Sequence, residues 1–281
     1  MKVQGPRSDR RPRSPLRRRR RVGASGAVAV LLVAVCGFTT HALAQQSRPN
    51  PLPGRTFQSA DTQQLEADEA RNPGWLWVEE GAKFWSRAEG TAAKSCESCH
   101  GPLNTALTGV AAHYPKYDVP AGALLNLEGR INRCRTVHQG APGLAYESSE
   151  LLALTALVSS QARGTTRHVE ITGRAAPFFE AGRAFWQTRQ GQLDLACTQC
   201  HDGLAGKHLR GDKISQGQSD GWPGYRLEWQ TLGSLQRRLR ACSLGVRAEV
   251  LDYGAPEYLS LELYLAWRGE GLAMSAPGVR R

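Results

Sequence analysis

Two Cys-x-x-Cys-His pentads, Cys96–His100 and Cys197–His201, lie 101 residues apart in this chain. No other feature limits its fold as strongly. Two thiols at that spacing reach the two vinyl groups of a porphyrin, and the adjacent imidazole falls beneath the iron as its proximal ligand. The pentads therefore predict two covalently bound haem c groups, with Cys96, Cys99, Cys197 and Cys200 in thioether bonds and His100 and His201 on iron. For a lone pentad the alternatives are half a zinc site or a dithiol redox pair. Zinc needs a second Cys or His pair near enough to close a tetrahedron, and neither pentad has one nearby in sequence.

Haem attachment of this kind takes place outside the cytoplasm, and the N-terminus matches that requirement. Residues 1–21 carry ten basic side chains against Asp9, followed by an uncharged stretch to residue 44 whose apolar run spans Val22 to about Phe38. Ala42-Leu43-Ala44 then offers small residues at the two key positions of a cleavage site. The pattern predicts a secretory signal peptide over residues 1–44, cut before Gln45, and a periplasmic mature chain with no membrane attachment. A retained anchor is the competing reading, but the run is shorter than the ~20 residues a spanning helix needs. Cys36 would suggest lipidation, yet Val35 before it is too bulky for the usual site. Of the formal charge of +11, nine units reside in residues 1–21. The rest of the chain is close to neutral, which excludes the electrostatic footprint of a nucleic-acid-binding protein.

The pentads belong to a longer repeat. Gly81, Phe84, Trp85, Cys96, Cys99 and His100 recur at an offset of 101 as Gly182, Phe185, Trp186, Cys197, Cys200 and His201. Leu127, Arg130 and Cys134 recur at 108 as Leu235, Arg238 and Cys242, and Glu150, Leu152 and Leu154 recur at 107 as Glu257, Leu259 and Leu261. Each module reads as an aromatic helix, a pentad, a Gly/Pro-rich loop, a short Arg-rich helix ending near a cysteine, and a closing apolar helix. The expected class is all-α, with two tandem cytochrome c-type domains over 73–163 and 174–281 that each bind one haem. Residues 45–72, polar and interrupted by proline, are expected to form a solvated N-terminal arm with one short helix at most. The turn-dense stretches His113–Pro120 and Gly217–Gly224 are expected to wrap the haem edges with little structure of their own. His168–Thr172, in the polar boundary stretch, has the composition of a short strand.

Each haem has a sixth position to fill. Methionine is nearly excluded, because only Met274 would survive export. Cys134 and Cys242 are the two exported thiols not used by the pentads, and they stand at matching points of the two modules. Three readings stay open for them: iron ligation, each to its own haem; a disulfide, the default pairing in an oxidising compartment; or buried or free thiols. His113, His138, His168 and His208 are rival ligands, none of which occurs at equivalent places in both modules. A thiolate on iron stabilises the ferric state and lowers the potential, while its sulfur is nucleophilic and can carry a further sulfur atom. Sulfur-transfer chemistry follows more naturally than simple electron shuttling. Arg238 precedes Cys242 by four residues, which on a helix puts guanidinium and thiol on one face. It would present a cation to an anion at that sulfur, or else pair with a haem propionate or face water. Arg130 stands in the same relation to Cys134, but the run around Arg238 (Arg237, Arg238, Arg240) is the more cationic, against Gly129, Arg130 and Asn132.

Beyond the pentads, this chain resembles the SoxA subunit family of the bacterial Sox thiosulfate-oxidising system. The residues that carry the resemblance are Asn72-Pro73-Gly74, Pro223 to Arg226 with Trp229, Arg238 to Cys242, and the tail Glu257–Gly271 continuing through Ala276–Arg280. Family members with one haem lack the first pentad, which is present here. The resemblance implies L-cysteine S-thiosulfotransferase activity, in which thiosulfate is oxidatively attached to a cysteine of a SoxY-like carrier protein. It also implies a heterodimer with a monohaem SoxX-like cytochrome that takes the electrons. It implies His/Cys ligation of both haems, His100 with Cys134 and His201 with Cys242. Cys242 is then the active-site ligand and Arg238 the residue that orients the anion. Two other functions remain open at this level, a thiosulfate dehydrogenase making tetrathionate and a non-catalytic dihaem electron carrier.

Overall fold

The computed structural model describes residues 50–281, so the expected signal peptide and the start of the arm fall outside the described residues. The first passage runs through α1 (Ala60–Ala67), α2 (Trp75–Ser86), α3 (Cys96–His100), α4 (Leu103–Ala106), β1 (Lys116–Asp118), β2 (Ala123–Leu125), α5 (Leu127–Cys134) and α6 (Ser149–Ser160). The second passage has α7 (Ala176–Gln187), α8 (Cys197–His201), β3 (His208–Leu209) and β4 (Asp212–Lys213). It continues through β5 (Gly224–Arg226), β6 (Thr231–Gly233), α9 (Leu235–Gly245), α10 (Pro256–Arg268) and β7 (Gly278–Arg280).

Each passage is built on one close helix crossing. Val78, Gly81 and Trp85 form the buried stripe of α2, and Phe179, Gly182 and Trp186 form that of α7. Glycine is needed at the crossing because a Cβ at Gly81 would collide with the carbonyl oxygen of Ala153 in α6, and one at Gly182 with that of Ser260 in α10. Without the side chain the backbones come close enough for the flanking aromatics to pack. Local signals start the helices as expected. Ser148, Asn126 and Ser234 accept from the backbone N–H groups of Leu151, Gly129 and Arg237. Pro256 opens α10, where its missing N–H has no intrahelical partner to lose.

The duplication extends into the loops, which are more structured than the sequence suggested. The hairpin β1–β2 pairs Lys116 with Leu125 and Asp118 with Ala123. The hairpin β5–β6, displaced by 108 residues, pairs Gly224 with Gly233 and Arg226 with Thr231. Gly90 and Gly191 share φ +68°, and each tucks against a turn that follows its Arg-rich helix, at Gln139–Ala141 and Val246–Ala248. These strands are two or three residues long, so helix still dominates. His168–Thr172 is not a strand; the nearest pairing is a bridge between Thr166, just before it, and Ala273.

The N-terminal arm differs from the solvated lead-in expected of its composition. Glu66 of α1 is 1% exposed, accepts from the backbone N–H of Val279 at 2.9 Å and pairs with Arg280. Asn72 donates to the carbonyl of Pro277, and the Gly54 N–H donates to Asp220. The arm thus clamps β7, which pairs in parallel with β5 in the register Arg226 to Arg280. A polar segment gains order here because its partners are buried polar groups that would otherwise be unpaired. The stretch after α6 is likewise tied down, with Gly164 and Arg167 N–H groups donating to the carbonyls of Met274 and Leu272. The buried Arg167 guanidinium donates to carbonyls of Tyr114 and Ser219, one from each passage. Residues Ser47–Arg281 accordingly form one compact unit, in which no described helix is long and apolar enough to cross a membrane.

Candidate functional site

Each pentad forms one helical turn directly after a bridged loop, and the same tryptophan stands against its histidine in both passages. The Trp85 and His100 ring centroids are 5.7 Å apart and those of Trp186 and His201 are 5.5 Å apart, each pair tilted by 34°. His201 donates from Nδ1 to the carbonyl of Ser215 at 2.7 Å. That bond fixes the tautomer and leaves Nε2 as the nitrogen that could ligate, the arrangement a proximal histidine needs.

The four pentad thiols and the two remaining cysteines are all free. Cys134 ends α5, and in the first passage it lines a cavity of about 470 Å³ together with Cys96, Cys99, His100, Arg130 and His138. That volume lies in the range of sites that take cofactor-sized molecules. His138, a rival ligand by sequence, is exposed at the rim of this cavity, because the helix carries on past Cys134 for one wider turn. The other rival histidines lie elsewhere. His113 and His168 contact each other, and His208 is exposed on β3. Met274 is packed in the apolar core.

In the second passage Cys242 and Arg238 sit one turn apart on α9, as the spacing predicted. The Cys242 thiol is close to both Cys197 and His201. Burial alone would raise its pKa, but Arg238, His201 and Arg226 together hold it down to about 7. The corresponding thiol of the first passage behaves in the opposite way. Burial raises the Cys134 pKa, and although Arg130 opposes this, Asp118 pushes it further up. Burial likewise pushes the Cys197 thiol to about 12, with Cys242 adding to the effect, and raises Cys96, with Cys134 adding. Each unused cysteine thus lies beside the pentad of its own module.

These residues fit covalent haem. The thiols are not in disulfides, a histidine packed against a tryptophan ring adjoins each pair, one passage has an open cavity lined by both candidate ligands, and the Ser215 carbonyl orients His201. Among the described residues no cluster of three His, Cys, Asp or Glu side chains is arranged to hold a metal ion by itself. Sequence reasoning missed five contributors: Trp85 and Trp186 as histidine supports, Ser215, and the paired positions Asp118 and Arg226. The last two are legible only once the offset of 108 is extended backward into the loops.

Comparison with known proteins agrees with this geometry. The family model described as SoxA/TsdA, cytochrome c domain, matches residues 80–166. The L-cysteine S-thiosulfotransferase subunit SoxA of Rhodovulum sulfidophilum is 42% identical over 227 residues, covering 81% of this chain and 79% of that protein. Its counterpart from Pseudaminobacter salicylatoxidans is 39% identical over 247 residues, covering 87% and 86%. The crystal structure of SoxXA from P. pantotrophus superimposes with a TM-score of 0.79 at 35% identity, covering 82% of this chain and 87% of that one. Pentads, free cysteines and relatives agree, and the chain belongs to the SoxA family.

Proposed function

We propose that this protein is the catalytic dihaem cytochrome subunit of an L-cysteine S-thiosulfotransferase. It couples thiosulfate oxidatively to a cysteine thiol of a SoxY-like carrier and passes the electrons to a SoxX-like monohaem cytochrome held as a heterodimer. The reaction forms one S–S bond between the outer sulfur of thiosulfate and the carrier cysteine, and it releases the thiol proton and two electrons. Residues 73–163 and 174–281 are read as two cytochrome c-type domains. Cys96, Cys99, Cys197 and Cys200 would hold two haems covalently, with His100 and Cys134 on the first iron and His201 and Cys242 on the second. A haem at the second pentad would supply a one-electron acceptor at the sulfur. The chain's own residues do the rest: Ser215 fixes His201, Arg238 meets the substrate charge, and the α9 scaffold presents Cys242 on the same face. Export to the periplasm through the leader over 1–44 supplies the compartment in which haem attachment occurs.

The observation that carries the reading is that both His201 and Arg238 lie close to the Cys242 thiol in a chain of this family. The test is carrier-dependent thiosulfate consumption by the haem-loaded heterodimer, with haem content measured by intact mass. Two haems and loss of turnover in Cys242→Ala are expected. Tetrathionate formation without any carrier would mark a dehydrogenase instead, and electron exchange without thiosulfate consumption a plain carrier.

A further inference from the structure

The two modules place the same arginine on the same helix but surround it with opposite charges. In the first module Arg130 of α5 is bonded through Nη1 to Asp118 Oδ2 at 2.8 Å, and Arg133 reaches the same carboxylate at 3.6 Å. Asp118 is the last residue of β1, whose equivalent 108 residues later is β5. The residue there is Arg226. The hairpin position that faces Arg130 with an anion thus faces Arg238 with a second cation.

Arg226 is not a surface arginine. Its side chain is 6% exposed, lies 5.0 Å from the Trp229 ring, and is tied at Nη2 to Glu228 at 2.8 Å and to Asp212 at 3.6 Å. Its Nε is buried with no hydrogen-bond partner. Arg238 forms no ion pair among the described residues, and its charge disfavours ionised Arg226. Two guanidiniums, one buried and short of an acceptor, converge beside one sulfur. Glu228 and Asp212 meet the Arg226 charge only at Nη2, which leaves its buried Nε and the whole Arg238 guanidinium without an acceptor among the described residues. A buried donor left unmet is costly, and an oxyanion is the natural complement to the two. Parallel pairing of Arg226 with Arg280, itself anchored to Glu66, keeps the position rigid.

We infer that Arg226 is a second anion-orienting residue, holding with Arg238 the sulfonate end of thiosulfate at the Cys242 sulfur. The inference rests on the function proposed above. A haem propionate has the same oxyanion chemistry and is the rival occupant, so the experiment separates the two.

Arg226→Met, Arg226→Lys and Arg226→Asp are compared with wild type as haem-loaded heterodimers. Readouts are the thiosulfate KM and kcat with carrier, haem content, the thiolate signature in electron paramagnetic resonance, and the midpoint potential of the second-module haem. Loss of a charge-assisted contact should raise KM roughly tenfold to a hundredfold in Arg226→Met. Arg226→Lys should recover part of the loss. Arg226→Asp, which copies the first module, should be the weakest, with haem content and thiolate signal retained. If Arg226→Met does not load haem, the Arg226→Lys result decides, because a lysine cannot reproduce the planar fork and should still raise KM severalfold. A KM within twofold of wild type in the haem-loaded variants overturns the inference. So does an unchanged KM with a shifted midpoint potential, which gives the guanidinium to a propionate. A wild-type heterodimer that consumes no thiosulfate with carrier defeats the proposed function itself, whereas an active wild type with unaffected variants defeats only the role of Arg226.

Discussion

The first and second modules share a backbone plan but not an electrostatic one. Both cross two helices at a glycine, pack a tryptophan ring against a histidine and end an Arg-rich helix segment at or beyond a cysteine. Around that cysteine the first module pairs its arginine with Asp118, while the second leaves Arg238 unpaired and adds Arg226. The consequence appears at the sulfur, where the Cys134 thiol is pushed up and the Cys242 thiol is held down to about 7. Duplication thus supplied two similar scaffolds, and a few charged side chains in the loops gave the second a more cationic surrounding at its cysteine.

The largest expected effect tests that asymmetry directly. Cys242→Ala should reduce carrier-dependent thiosulfate turnover on the order of a thousandfold or more, the scale seen when a reacting group is removed. Cys134→Ala should stay within a fewfold of wild type. Each variant should lose one thiolate signal in paramagnetic resonance, and equal kinetic losses would break the comparison. Next in size is the arginine pair. Arg238→Ala should lose a charge-assisted contact worth about 1.5–3 kcal/mol, or on the order of tenfold or more in kcat/KM. Arg130→Ala, whose partner is Asp118, should alter turnover by roughly twofold at most. A larger loss for Arg130→Ala would move the active site to the first module.

The shared scaffold predicts equal responses instead. Gly81→Ala and Gly182→Ala each drive a methyl into a backbone carbonyl, so each should lower stability by about 1–3 kcal/mol in chemical denaturation. A neutral result at either position would mean that the two crossings are not equivalent.

A pH-dependent effect concerns a buried polar cluster where the modules meet. Glu128 of α5 occupies the position of Gln236 in α9, and Gln236 Nε2 donates to Glu262 Oε1 at 2.6 Å. Burial raises the carboxyl of Glu128 to about 7, Glu147 adding to it. Burial and then Glu128 raise Glu262 to about 8, against bonds from Gln236 and Asn126 and the charge of Arg167. Both folded-state values exceed the unfolded carboxyl pKa of about 4.3, so the folded protein binds more protons between them. Stability should therefore be highest below about pH 4.5 as far as this cluster is concerned, and should fall as pH rises through about 8. Glu262→Gln should flatten that slope by up to about 1.4 kcal/mol per pH unit. An unchanged slope would show that the pair is already ionised in the native state.

Much of this protein was legible before any coordinates. The pentads specify their chemistry because thioether attachment requires one local spacing, and local spacing survives any folding. The closing helices α6 and α10 follow from unbroken apolar runs with a serine cap or a leading proline. The placing of Arg238 with Cys242 follows from the pitch of a helix alone.

Other features were decided by tertiary structure, because they depend on what lies across a gap in sequence. The arm from residue 50 reads as solvated by its polar composition, yet Glu66 is buried because Arg280 and the Val279 N–H, more than 200 residues away, meet it there. The hairpins β1–β2 and β5–β6 were hidden in turn-rich stretches whose strands are too short for alternation to show. Nothing in the sequence around Arg226 says that its charge faces Arg238, since that juxtaposition comes from a hairpin folding back over α9. The first module gives the geometric key, for there the same two positions are joined by the bond from Arg130 to Asp118. Sequence alone thus determined which groups could bind haem and sulfur. The fold decided which sulfur would sit among cations, because electrostatic neighbourhood is set by distance in space and not by distance along the chain.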